Sequence, residues 1–139
     1  MTTADDWTFA TLEISGPGVD PAAVTLELGA TPTATSVSAV WGCWTLASRG
    51  HVRGNRLADH LRWLVDRLGG ATAPLRDLAA AGRARLLAQG APETWHLDAA
   101  ADEAERARLG LPLSFVVFVK GDPQIKVGHV EFGDPGGAA

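Results

Sequence analysis

The chain has no tyrosine, one methionine and one cysteine. A single thiol, Cys43, excludes an intramolecular disulfide and a cysteine-rich zinc site, and it suits a reducing compartment. Long apolar runs are missing as well. The longest, Phe115 to Val119, is strand-sized, far below the ~20 residues that cross a bilayer. The opening M-T-T-A-D-D-W has neither the basic nor the apolar region of a secretion signal. A cytoplasmic location with no membrane partner is therefore expected. Positive charge is in deficit: 12 Lys and Arg face 16 Asp and Glu, giving a net charge of −4. With a pI near 5.5, a broad phosphate-binding surface, and so a nucleic-acid partner, is not expected.

Chemical signatures are equally scarce. No G-x-S-x-G nucleophile elbow occurs. The G-P-G and R-G-H-V-R-G segments lack the glycine spacing of dinucleotide or Walker loops. His51, His60, His96 and His129 form no i, i+4 pair, so no metal is expected. Spacing leaves open a site assembled in three dimensions, for instance from His51, His60 and Asp59. Cys43 lies between bulky neighbours in a strand-like stretch, where a free cysteine behaves as a small apolar residue rather than a nucleophile. Asp102, Glu103 and Glu105 share one helix with Arg106 and Arg108, which reads as a solvated charged face and not an acid–base pair. No cofactor is expected, and the balance leans away from an enzyme.

What is present is the composition of one soluble domain: 46% hydrophobic and 20% charged over 139 residues. Arginine outnumbers lysine ten to two, a bias that a GC-rich bacterial genome produces. Residues 7–15 have strand content. Asp20, Pro21 and Gly29 then punctuate a short helix as cap, first helical residue and left-handed stop. Residues 37–47 read as one strand, in which Gly42 marks a bulge or a close backbone approach. The polar, cationic loop S-R-G-H-V-R-G-N-R follows. Over 56–68, Leu57, Leu61, Leu64 and Leu68 form a helical stripe, flanked by His60 and Val65. A second helix at 73–81 follows a short link and is expected beside it, antiparallel. Strands at 83–88 and 94–97 come next, then a helix capped by Asp98 and stopped by Gly110. Residues 111–119 form a central strand, and an edge strand follows after a K-G-D-P turn. This order predicts an α+β, two-layer sandwich with a mostly antiparallel sheet and helices on one face, a ferredoxin-like plan with an inserted helical hairpin. The ordered body is expected over 7–132, with 133–139 a flexible tail.

Several landmarks resemble the bacterial family catalogued as domain of unknown function 4279. They are Asp20-Pro21 opening the first helix, Pro32-Thr33, W-T-L-A-S at 44–48, the helix with His60-Leu61, and L-G-L-P-L-S-F before the late strand. The resemblance spans roughly residues 7–118 and implies an organisation, with no catalytic residues to transfer. The chain departs from the family in the Thr/Ser-rich stretch 33–38 and in the extension 120–139.

Two groups of residues carry candidate binding chemistry. Trp63 falls off the leucine stripe with Arg56 and Arg67, and the loop with His51 and Arg53 immediately precedes it. An aromatic ring among arginines suits a protein-binding hot spot or an anionic ligand. Trp41 and Trp44, three apart, point to opposite faces of a regular strand. Trp44 is assigned to the core with Val40 and Leu46, and Trp41 to the face of Cys43 and Thr45. The expected function is a non-enzymatic protein-binding module of the immunity or accessory type. The alternative is a small-molecule or catalytic pocket between sheet and helices, lined by Trp41, Trp44 and His60.

Overall fold

A computed structural model describes residues 8–69, 71–90, 95–119, 122–126 and 131–132. The chain runs β1 (Phe9–Pro17), α1 (Pro21–Leu28), β2 (Ala34–Val37), β3 (Trp41–Ala47), α2 (Leu57–Leu68), α3 (Thr72–Ala80) and β4 (Ala84–Gly90). It continues with α4 (Ala99–Leu109), β5 (Leu113–Val119), β6 (Asp122–Lys126) and β7 (Glu131–Phe132). The sheet order is β2-β3-β1-β4-β5-β6, with β7 also paired to β5. Through β4 every pairing is antiparallel. That order, with α1 connecting β1 to β2 and the helix pair connecting β3 to β4, is the ferredoxin-like α+β plan with an added helix. Among the described strands only β4 and β5 are parallel, as a crossover through α4 permits.

Local chemistry explains the boundaries. Asp20 accepts the Ala22 amide at 3.1 Å, Pro21 opens α1, and Gly29 closes it at φ 66°. Asp98 accepts the Ala101 amide at 3.3 Å, and Gly110 ends α4 at φ 73°. Left-handed φ at both stops is where glycine costs least. In α2 the whole leucine stripe is buried, with His60 beside it.

All four helices contribute to one core. Ala10, Leu12 and Ile14 of β1, Trp44 and Leu46 of β3, and Leu86 and Ala88 of β4 meet the stripes of the helices. Burying each of these larger side chains is worth roughly 1.5–3 kcal/mol. Gly42 lies flat in this layer, where a Cβ would run into the carbonyl oxygen of Val19. The expected close approach is present and the bulge is not, since the register with β1 is regular from Trp41 to Ala47.

Four expectations change. Residues 37–47 are not one strand but the end of β2, a turn and β3. The Ser38 amide donates to the Trp41 carbonyl at 2.7 Å, and the Ser38 hydroxyl oxygen accepts the Val40 and Trp41 amides at 3.4 and 3.1 Å. A serine that satisfies the turn's own amides replaces the glycine or asparagine that would have announced it. Val40 is consequently 75% exposed and does not join Trp44 in the core. Next, α2 takes α4 as its main helical neighbour, while α3 lies against α1, β4 and α4. Glu105, placed by sequence on a solvated face, is only 4% exposed at that α2–α4 seam. It accepts from Arg62 at 2.8 Å and Arg108 at 3.4 Å. Finally, Trp95–Leu97 form no strand. His96 makes a single parallel bridge to Arg56, donating to the Asn55 carbonyl and accepting the Leu57 amide. The expected edge strand is described at β6 and at β7, both on β5, and residues 127–130 between them lie outside the described residues. The expected tail, 133–139, lies outside the described residues, as do Trp7 and His129.

Candidate binding face

Alternation along β3 decides which of its residues are available. Trp44 points into the core with no exposed surface, and its indole N–H donates to the Thr25 hydroxyl at 3.0 Å. Trp41 points the other way and is 50% exposed. The pairings Pro17↔Trp41, Ser15↔Cys43 and Glu13↔Arg85 put these side chains together on the face opposite the core.

A groove of about 550 Å³ crosses the ends of β3, β1 and β4 there, lined by Trp41, Cys43, Glu13, Ser15, Arg83 and Arg85 among others. Arg85 donates to Glu13 at 2.8 Å, and the Ser15 hydroxyl donates to the same carboxylate oxygen at 3.2 Å. Arg83 donates to the Pro17 carbonyl. Its guanidinium lies over Gly16 so closely that a Cβ there would collide with it. Burial, and then the charge of Glu13, pushes the Cys43 thiol above its usual value, with Arg85 opposing. The thiol therefore stays protonated near neutral pH, which is unsuited to nucleophilic attack. The groove thus offers a flat aromatic ring, two oriented guanidinium groups and one carboxylate.

The hairpin end adjoins it. Val40, next to Trp41 in the hairpin, is 75% exposed, and Val37, opposite Gly42 and so on the other face of the sheet from Trp41, is 71% exposed. Exposed apolar residues in such proximity mark interaction surfaces more often than scattered ones do.

The second expected group is assembled in part. His51 stacks on Trp63 at 4.7 Å between ring centroids, and the Arg67 guanidinium lies 5.0 Å from the Trp63 centroid. Trp63 is itself partly buried against the core, so its ring is engaged on several sides. Arg53 is exposed in the preceding loop. Arg56 is exposed at the N-cap of α2, where its backbone bridges to His96.

His60 joins neither group. It is fully buried, with Nδ1 2.6 Å from the Ser48 hydroxyl and Nε2 2.9 Å from the Gly54 carbonyl. The Ser48 oxygen also accepts the Ala10 amide at 2.9 Å. A carbonyl can only accept, which puts the ring proton on Nε2 and lets Ser48 donate to Nδ1. This chain ties the cationic loop to α2 and β1. Trp41, Trp44 and His60 are therefore not brought together: the first lies on one face of the sheet and the other two behind the opposite face. Among the described residues, no three His, Cys, Asp or Glu side chains gather with metal-site geometry.

A second depression, of about 400 Å³, lies between α4 and the β5 end of the sheet, lined mainly by Leu57, Leu97, Leu113 and Phe115. Sequence reasoning missed Glu13, Arg83 and Arg85 beside Trp41. The polar alternation of Thr11, Glu13 and Ser15 along β1 was the available signal, but strand register was needed to set these residues beside Trp41. The chain matches no protein-family model, no curated protein and no solved structure.

Proposed function

We propose that the chain is a non-enzymatic protein-binding module, of the kind that small bacterial immunity or accessory proteins represent, and that it engages its partner through the β2–β3 hairpin and Trp41. One observation carries this reading: Val40 and Trp41 stand exposed side by side at the end of the β2–β3 hairpin, beside oriented arginines. Tryptophan and arginine dominate the energetics of protein interfaces, because each offers a large surface and a directional polar group. An edge strand adds unpaired backbone amides and carbonyls for a partner to meet. The small-molecule alternative draws less support, since two of the three residues expected to line its pocket are enclosed in the core.

The test is site-specific photo-crosslinking in the native host, with the crosslinker at Val40. The control position is Leu26, which is 84% exposed on α1. A defined partner is expected from Val40 and not from Leu26, and Trp41→Ala should abolish it. Identical adducts from both positions, or an adduct indifferent to Trp41→Ala, would overturn the reading.

A further inference from the structure

We infer that the groove beside Trp41 receives an acidic segment of the partner protein, its carboxylates on Arg83 and Arg85 and an apolar side chain on Trp41. The inference rests on the protein-binding reading and names the chemistry of the partner.

Charge complementarity selects the occupant. The chain carries a net charge of −4, yet the groove sets two guanidinium groups against one carboxylate. A basic segment would meet both arginines, whereas an acidic one meets a local excess of positive charge. Each guanidinium has five N–H donors in a planar fork. Arg85 directs Nη2 to Glu13 and Arg83 directs Nη1 to the Pro17 carbonyl, and among the described residues no other acceptor is bonded to either. The bonds already made fix the two forks in place, so less rotamer freedom is lost when a carboxylate arrives.

Shape selects a segment over a small molecule. Trp41 is half exposed and the Arg85 side chain is 63% exposed, so the groove is a trough open to solvent along one side. Small-ligand sites bury about 70–90% of their occupant, which an open trough cannot do. An extended segment lying across the strands covers it and can also reach the apolar hairpin end. The protonated Cys43 and the Ser15 hydroxyl between the arginines and Trp41 add no charge to oppose it.

The experiment is a ¹⁵N–¹H correlation titration of the full chain with the peptide acetyl-EFEVE-amide, with acetyl-KFKVK-amide and free glutamate as controls. Saturable shifts are expected for the Trp41 indole N–H and for the amides of Ser15, Gly16, Cys43 and Arg85. The dissociation constant should rise at least about fivefold between about 50 and about 500 mM salt, because exposed charge pairs are screened. Arg85→Ala should weaken binding by about tenfold while leaving the remaining spectrum in place, as expected for loss of a charge-assisted contact. Shifts equal with the lysine peptide, shifts elsewhere on the molecule, or no saturable shift would overturn the inference. Equal shifts with free glutamate would overturn the segment as the occupant. Should the acidic peptide fail while Val40 still crosslinks a partner, the acidic chemistry falls and the protein-binding reading stands.

Discussion

At the scale of single residues, the two tryptophans of β3 show how three positions of sequence separate two roles. Trp44 is sealed against α1 by its bond to Thr25, and Trp41 is half exposed on the far face. Trp44→Ala should lower unfolding stability by about 3–5 kcal/mol, the usual result of emptying a buried aromatic site. Trp41→Ala should change it by no more than about 0.5 kcal/mol, as expected of an exposed side chain away from the core. Urea denaturation of both variants checks this, and comparable losses would mean that Trp41 is a core residue. Period-two alternation alone placed the rings on opposite faces. Their assignment to core and surface followed from Val40 and Leu46 on the face of Trp44; Leu46 is buried as that assignment requires, and Val40 is not. Val40 was misplaced because the turn that exposes it contains no glycine, proline or asparagine. Asp20 caps α1, Trp44 fills the core, and Ser48 with His60 binds the loop to β1.

At the scale of elements, α4 was legible at its ends and illegible along its side. Asp98 and Gly110 announced it by local backbone chemistry, which neighbouring residues decide. The burial of Glu105 depended on α2 lying alongside, which no local pattern encodes. Asp102 shares that seam. Burial is the main cause that raises its pKa; the Asp98 amide, the Ala58 amide and Arg56 oppose this, and the charge of Asp98 adds to it. One carboxylate oxygen accepts the Asp98 amide at 2.9 Å, and the other has no hydrogen-bonding partner among the described residues. A folded-state pKa above the unfolded value of about 3.9 means that the native state holds the proton more tightly. The stability this group contributes is then complete below the ordinary aspartate range and is lost as pH rises through the raised value. Glu103 has the opposite sign, because its hydrogen bonds to Arg106 hold it below the usual range. Comparing wild type with Asp102→Asn isolates the first effect. The wild type should lose stability relative to the variant as pH rises from about 3.9 towards neutrality. Urea midpoints across that range measure it, and a flat or rising difference would contradict desolvation as the cause.

At the scale of the whole molecule, one core takes contributions from all four helices and from β1, β3, β4 and β5. With no second apolar cluster among the described residues to hold either layer alone, sheet and helices should unfold together. Thermal melts followed by far-ultraviolet circular dichroism and by tryptophan fluorescence are expected to coincide. Separated midpoints would show that the α2–α4 layer stands independently. The helix order, the caps of α1 and α4, the leucine stripe of α2 and the α+β class were set by the sequence, because each rests on residues within a few positions of one another, whereas the strand limits at 37–47 and 95–97 were not. The pairing of α2 with α4, the burial of Glu105 and the enclosure of His60 were decided only in three dimensions. So was the groove, in which Glu13, Trp41, Arg83 and Arg85 come from three strands. Their contacts depend on register and packing across tens of residues, and the free energy that selects one register is shared over the whole core rather than written at any one position.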